Sequence, residues 1–268
     1  MNAQEASSFP RYRSRFVHIS ASDVLQRLRF SESDSLLDVC CGSGELTKLV
    51  TENARLKSTT AIDINSNMID IAKSTNNADN ITYLVGDVGA AETFKSEWKN
   101  SFDKVLAYYA LQWIPNWPDT IIYLYECLKP GGEGYINITI DEPALVINVI
   151  HEAAYQLPRW QQFVKGFQYK HYPLQGNEED FDAILRKAGF VDVKVEVEKT
   201  LNFFQFDTDL QAKDFIRCFL PQLECLPDDF KEDFLEDVFL NVRSKCEKTE
   251  DGRAVWKIPT LTAMFRKE

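Results

Sequence analysis

From residue 35 onward, short apolar runs alternate with amphipathic segments at intervals of about 20 to 25 residues, the rhythm of βαβ units that fold into a parallel sheet. The runs at 35–40, 58–62, 80–85, 102–107 and 134–140 predict strands, and the segments near 45–53, 66–74, 93–99 and 119–128 predict the helices between them. Lys129-Pro130-Gly131-Gly132 is a strong stop after the last of these helices. From Pro143 to about residue 177 the rhythm breaks, and aromatic residues follow one another without a clean period, as in an insertion. A helix over 178–188, closed by Gly189, restores the pattern. Val191, Val193, Val195 and Val197 then alternate strictly with Asp192, Lys194, Glu196 and Glu198, which predicts a strand with one wet face. Two further helices are expected over 209–220 and 227–246. The second opens on Pro227, with Asp228 and Asp229 beside the positive end of its dipole. The run 255–265 predicts a last strand that pairs with 190–199.

The expected fold is therefore α/β: a doubly wound sheet of seven strands, mostly parallel with the last strand antiparallel, carrying helical cap insertions. Its segments are an N-terminal lid and helix over 1–34, a core over 35–141, an aromatic cap insertion over 142–177, a core helix and sixth strand over 178–206, a helical cap insertion over 207–254 and the final strand over 255–268.

At 268 residues the chain has room for one large domain or a domain with a sizeable appendage. With 44% hydrophobic, 12% aromatic and 26% charged residues, it can bury a real core. The net charge of −11 argues against nucleic acid as a partner, since a phosphate backbone would be repelled. The six cysteines (Cys40, Cys41, Cys127, Cys218, Cys225, Cys246) form no CxxC pair, and the three histidines have no ligand spacing with them, so no metal site is expected. The first residues lack an apolar leader core, and no run approaches the 18 or so apolar residues that span a bilayer. The expectation is a cytoplasmic protein with reduced thiols and no membrane insertion; its oligomeric state is left open.

Leu36-Leu37-Asp38-Val39-Cys40-Cys41-Gly42-Ser43-Gly44-Glu45 is an apolar strand entering a loop with two glycines and then a helix, which lets backbone approach a ligand at a strand's carboxyl end. A dinucleotide fingerprint would need a third glycine where Thr47 stands. Asp63, ending the second strand, is placed to accept hydrogen bonds from ribose hydroxyls, and Asp87, ending the third, to take an adenine amino proton while Val88 covers the ring. Asp38 would face a cationic amino group or hold the loop's own amides. An anionic loop with Asp38 and Glu45 suits a cation better than a pyrophosphate, which points to S-adenosylmethionine, a sulfonium with an ammonium group and no phosphate.

These residues resemble the class I S-adenosylmethionine-dependent methyltransferases, whose fold is Rossmann-like. Residues 37–44 look like the family's first motif, with Cys40 in place of its usual first glycine; Asp63-Ile64 resembles its second-strand acid and Gly86-Asp87-Val88 its adenine-side motif. The segment from Phe102 to Ile114, ending Tyr108-Tyr109-Ala110-Leu111-Gln112-Trp113-Ile114, is similar to the fourth-strand segment of juvenile hormone acid methyltransferases, which esterify farnesoic and juvenile hormone acids. That family commonly has His where Gln112 stands and Gln where Ser20 falls. The resemblance implies S-adenosylmethionine as cofactor, S-adenosylhomocysteine as product, and cofactor contacts at Asp38, Cys40, Gly42, Gly44, Asp63, Ile64, Asp87, Val88 and Tyr108.

A carboxylic acid is ionised at neutral pH, so its methylation needs no general base, and the lack of a catalytic dyad is consistent with such a substrate. Gln112 and Trp113 are the candidates for donating hydrogen bonds to one carboxylate oxygen while the other attacks. Arg11, Arg13 and Arg15, interleaved with Phe9, Tyr12 and Phe16, suggest a lid in which Tyr12 contacts the cofactor. Trp160, Phe163, Phe215 and Phe219 are expected to line an apolar slot for a small hydrophobic acid. Two other readings stay open: a methyltransferase for a polar carboxylic acid or a phenol, and a non-catalytic cofactor-fold protein that binds a partner through its aromatic insertion.

Overall fold

The computed structural model describes residues 10–143, 145–198, 203–206, 208–248, 250 and 254–268, with the side chains of 10–16, 198, 203–205, 254 and 257 excepted. In chain order the elements are α1 (Pro10–Arg27), β1 (Ser35–Val39), α2 (Glu45–Asn53), β2 (Ser58–Asp63), α3 (Ser66–Thr75), β3 (Ile81–Val85), β4 (Phe102–Tyr108), α4 (Trp117–Cys127), β5 (Leu128–Thr139), α5 (Val146–Gln156), α6 (Gln161–Val164), α7 (Glu178–Lys187), β6 (Phe190–Glu198), β7 (Phe203–Gln205), α8 (Asp209–Cys218), α9 (Asp228–Lys245), β8 (Glu247–Lys248), β9 (Ala254–Lys257) and β10 (Thr260–Lys267). The chain divides into two compact units. One comprises Ser14–Ile140, His171–Val197 and Thr260–Glu268; the other is built mainly from Asp141–Lys170 and Glu198–Pro259.

The first unit holds a seven-stranded sheet in the order β3-β2-β1-β4-β5-β10-β6. β1 pairs in parallel with both β2 and β4, β2 with β3, and β4 with β5, while β10 runs antiparallel to β5. This is the expected Rossmann-like sheet with its antiparallel strand. The winding reverses between β1 and β4, and such a reversal leaves a crevice outside the carboxyl ends of those strands. Leu37 and Val39, Val105 and Ala107, and Ile136 and Ile138 enter one core with Ile121 and Leu124 of α4 and Phe181 and Leu185 of α7. Since side chains alternate across a sheet, Asp38, Tyr108, Tyr135, Asn137 and Thr139 share the opposite face. α7 starts on a capping box, with Asn177 and Asp180 each bonding the other's backbone amide.

The structure corrects four expectations about elements. The helix expected at 93–99 is two separate 3-10 turns, Ala91–Thr93 and Ser96–Trp98. β5 does not wait for residue 134: it begins at Leu128 and runs through Pro130-Gly131-Gly132 with a register shift against β4, Gly131 taking φ 78°. The aperiodic stretch after 143 contains α5, which buries Val146, Ile147, Ile150, His151, Ala153 and Ala154. The single strand expected over 255–265 is split at Ile258-Pro259: β9 belongs to a small sheet in the order β7-β9-β8, and β10 alone enters the main sheet between β5 and β6.

In the second unit α5 packs on α9, whose Phe234, Leu235, Val238, Phe239 and Val242 are buried. Its aromatic rings form two groups. Trp160 meets Phe163, Phe230 and Phe234 at centroid distances of 6.3, 6.1 and 5.6 Å, and its indole N–H donates to Asp237 Oδ2 at 2.7 Å. Phe215 meets Phe206, Phe219 and Trp256 at 5.4, 4.8 and 5.6 Å. Among the described residues no helix is long and apolar enough to cross a membrane.

Candidate functional site

The loop after β1 is shaped by backbone and held by an acid. Cys40, Gly42 and Gly44 all have left-handed φ, at 58°, 56° and 77°. Glycine takes such angles freely, whereas a residue with a Cβ does so at a cost. Gly44 is constrained a second way, because a Cβ there would lie 2.5 Å from the Tyr83 hydroxyl, which donates to the Asn76 carbonyl at 2.9 Å. Asp63 ties the loop to the end of β2: its Oδ2 accepts from the Gly42 amide and its Oδ1 from the Asn65 amide, both at 2.9 Å. The Cys41 amide donates to the Ile62 carbonyl at 3.0 Å. Loop-holding was one of two roles open to Asp38, but the structure gives it to Asp63; each Asp63 oxygen keeps a second lone pair for another donor.

Asp38 instead turns to the next helix and accepts from Thr47 Oγ1 at 2.6 Å. Its carboxyl is pushed up to about 7, first by burial and further by the Asp63 charge, against the opposing effect of the Thr47 hydrogen bond. The Cys40 thiol is held far above its ordinary range, first by burial and then by Asp63, Asp38 and Asp87. The three acids picked from the sequence therefore act on a single point of the loop. Asp87 is exposed, and its Oδ1 accepts from the Gly89 amide at 2.8 Å. Val88 lies in the main core, with its carbonyl accepting from Thr120 Oγ1 at 3.0 Å. Ile64, beside Asp63, is 66% exposed, an apolar side chain left uncovered next to an acid.

The far side of the crevice is built on the end of β4. Tyr108 stacks on Tyr135 at 5.9 Å and meets Tyr109 edge-on at 5.2 Å. Tyr109 has a left-handed φ of 48°, and the 3-10 turn Leu111–Trp113 follows. Gln112 on that turn is 1% exposed, and its Oε1 has no partner among the described residues. Its backbone carbonyl accepts from the Tyr172 amide at 2.6 Å. Trp113 does not have the expected geometry of a donor to substrate: its indole N–H donates to the Tyr109 carbonyl at 3.1 Å. The ring is 37% exposed and tilts against His171 at 5.1 Å. Ser20 is buried on α1. Tyr12 falls in α1, with its side chain outside the described residues.

The structure places Trp160, Phe163, Phe215 and Phe219 in the second unit, in two ring groups. The first two and the last two belong to the separate ring groups described above, with Trp160 and Phe215 almost wholly buried in them. Sequence reasoning missed Thr47, Tyr83 and Asn137. Asn137 carried a readable signal, a lone amide inside a run of apolar and β-branched residues.

A family model for a methyltransferase domain matches residues 11–195. The chain belongs to that family. It is similar along nearly its whole length to the juvenile hormone acid O-methyltransferase of Drosophila melanogaster, at 27% identity over 277 residues, 98% of this chain and 90% of that protein. It is 21% identical over 245 residues to the trans-aconitate 2-methyltransferase of Rhizobium leguminosarum, covering 90% of each. Among solved structures, a methyltransferase-like protein from Bacillus halodurans superposes with a TM-score of 0.60 at 15% identity, over 93% of this chain and 99% of that one, a likeness of fold. The methyltransferase assignment thus joins the crevice at the sheet's reversal to a known class of chemistry.

Proposed function

We propose that this methyltransferase transfers the methyl group of S-adenosylmethionine to the carboxylate of a hydrophobic, isoprenoid-type acid, such as a farnesoic or juvenile hormone acid, giving a methyl ester. The observation that carries the reading is Gln112, a buried amide on the turn that closes β4 whose oxygen has no partner among the described residues, so a half-turn can present its N–H₂ to a carboxylate without giving up a bond made by that oxygen. Support comes from the nearly full-length similarity to a carboxyl-methylating relative.

The residues around the loop fit the cofactor. Left-handed backbone at Gly42 and Gly44 admits close approach, Asp38 once ionised offers negative charge to an ammonium, Asp63 offers acceptors to ribose hydroxyls, and Ile64 offers an uncovered apolar surface to a flat base. When bound, S-adenosylmethionine supplies an electrophilic methyl: a carboxylate oxygen bonds to it as the carbon–sulfur bond breaks, the electron pair stays on sulfur, and no proton moves. The protein's share is orientation and dryness. Gln112 holds one carboxylate oxygen through its amide, leaving the other to attack, and no group has to give up a proton first. A neutral donor orients the anion without the cation that would lower its nucleophilicity. Trp113 and His171 form a wall beside this position rather than further donors.

The test is tritiated methyl transfer to straight and isoprenoid acids from hexanoic to farnesoic. Each buried CH₂ contributes about 0.8 kcal/mol, so kcat/KM should rise gradually with chain length. A flat profile, or a preference for citrate-like acids, rejects the hydrophobic substrate. A phenol as the better acceptor rejects the carboxylate.

A further inference from the structure

Asn137 lies on β5 in register with Tyr108 of β4 on one side and Thr262 of β10 on the other. It is 0% exposed, and neither end of its side-chain amide has a partner among the described residues. A buried amide left unpaired costs roughly 1–3 kcal/mol, so such a group in a folded protein calls for a reason. Its neighbours along the same face of β5 are satisfied. The Tyr135 hydroxyl donates to Asp23, and Thr139 Oγ1 lies 3.4 Å from His171 Nε2.

β5 is tied twice to the turn that carries Gln112, once through Asn137 itself and once through Thr139. The Asn137 backbone carbonyl accepts from the Tyr109 amide at 3.1 Å, and the Tyr109 carbonyl accepts from the Trp113 indole. Two residues along β5, Thr139 meets the same His171 that packs against Trp113. Two buried amides with unfilled hydrogen-bonding capacity, Gln112 and Asn137, thus stand on elements locked together at the carboxyl ends of β4 and β5. The cofactor-type features, the glycine loop, Asp63 and Ile64, stand on β1 and β2, across the sheet's reversal.

We propose that Asn137 is a second acceptor-binding residue, its side-chain amide donating to the carboxylate of the methyl acceptor alongside Gln112. The inference rests on the carboxylate reading above. A half-turn of the amide exchanges its donor and acceptor ends, so the N–H can be presented to the second lone pair of the carboxylate oxygen that Gln112 holds, leaving the other oxygen to attack. Two neutral donors fix the carboxylate plane, which a single donor leaves free to rotate. In the protein without ligand the unpaired amide weakens the fold, and the acceptor relieves it.

The experiment compares wild type with Asn137→Leu, which keeps the volume and removes the amide, and Asn137→Thr, which suits a strand and has a shorter polar reach. Three quantities are read on the full chain: melting temperature without ligand, S-adenosylhomocysteine affinity, and kcat/KM for the best acid. The expected result is a 10- to 1000-fold loss in kcat/KM, carried largely by KM, with cofactor affinity within twofold and a melting temperature for Asn137→Leu equal to or above wild type. A merely structural asparagine would instead lower the melting temperature and leave KM alone, which overturns the proposal. Undiminished kcat/KM in either folded variant also overturns it, as does tenfold weaker S-adenosylhomocysteine binding, which would place Asn137 at the cofactor. Wild-type activity on an acid together with unaffected variants sinks this inference only; a wild type that methylates no acid sinks the carboxylate reading and this one with it.

Discussion

Asp38→Asn should stabilise the free protein at neutral and alkaline pH while removing its response to cofactor. The wild-type carboxyl is held protonated up to about pH 7, whereas in the unfolded chain it ionises near 3.8. Below pH 3.8 both states carry the proton and Asp38 costs nothing. Between 3.8 and about 7 the unfolded chain alone releases it, so stability falls as pH rises, and above 7 the penalty is complete. The gap corresponds to about 4 kcal/mol at most. Asparagine keeps an oxygen for the Thr47 hydroxyl and carries no charge, so the variant escapes the penalty. At roughly 2 °C per kcal/mol for a chain of this size, it should melt up to about 8 °C above wild type at pH 8 and at the same temperature near pH 4. Differential scanning calorimetry across that range measures the gap. S-adenosylhomocysteine at 100 times its dissociation constant should add roughly 2.7 kcal/mol to wild type and little to the variant, which lacks the charge for the ammonium group. A melting gap that stays constant from pH 4 to 8, or a variant less stable at pH 8, would refute the argument that burial sets the Asp38 carboxyl.

Asp63→Ala should lose both the cofactor response and about 1–3 kcal/mol of stability in chemical denaturation, because the Gly42 and Asn65 amides lose their acceptor. Unchanged stability would mean the loop holds its shape without it. Cys40→Gly should fold at least as stably as wild type and gain up to about 1 kcal/mol, since the φ of 58° burdens a residue with a Cβ; a clear loss in the same assay would show that thiol packing outweighs the backbone. Gln112→Ala should lower turnover about 10- to 1000-fold with S-adenosylhomocysteine affinity nearly unchanged. On the carboxylate reading, the wild-type rate with S-adenosylmethionine saturating, so that the titration of Asp38 is not read, should stay flat from about pH 6 upward, because the nucleophile is already ionised; a rising limb near pH 8 would reject this.

The strands β1 to β4 were legible because each is a short apolar run bounded by turn residues, and the acids that close β1, β2 and β3 followed from their positions at strand ends. β5 was less legible at its start because Pro130 and Gly131 read as punctuation. In the folded sheet the irregular pairing with β4 absorbs them, and the strand passes through. α5 was hidden because its buried face includes His151, Ala153 and Ala154, which carry little hydrophobic contrast. The split between β9 and β10 turns on Pro259, whose missing N–H ends a ladder, a signal present in the sequence but outweighed by the apolar residues around it. At the site, residue types were readable and pairings were not. Nothing in the spacing says that Thr47 takes Asp38, that Asp63 takes the loop amides, or that the Trp113 indole is spent on Tyr109, because each depends on which face two elements present to one another.

Left-handed φ at non-glycine residues also occurs elsewhere in the first unit, at Arg55, Asn100 and Asp192, but several of its unfavourable features gather at one end of the sheet. Left-handed Cys40 and Tyr109, the buried carboxyl of Asp38, and the Gln112 amide oxygen and Asn137 amide, which have no partner among the described residues, lie on or just beyond the carboxyl ends of β1, β4 and β5. Elsewhere the same sheet is an ordinary apolar core, with Leu37, Val105 and Ile136 fully buried among aliphatic neighbours. Strain and unmet polarity of this kind cost on the order of 1–3 kcal/mol each, and they persist where function uses them. Their chemistry also divides by strand. On β1, Asp38 suits a cationic ligand once its raised carboxyl has lost its proton; the β4 and β5 features are neutral amides that can donate to an anion. On the carboxylate reading proposed above, the sheet's reversal sets a place for positive charge beside a place for negative charge, the ground-state arrangement that methyl transfer from a sulfonium to a carboxylate requires.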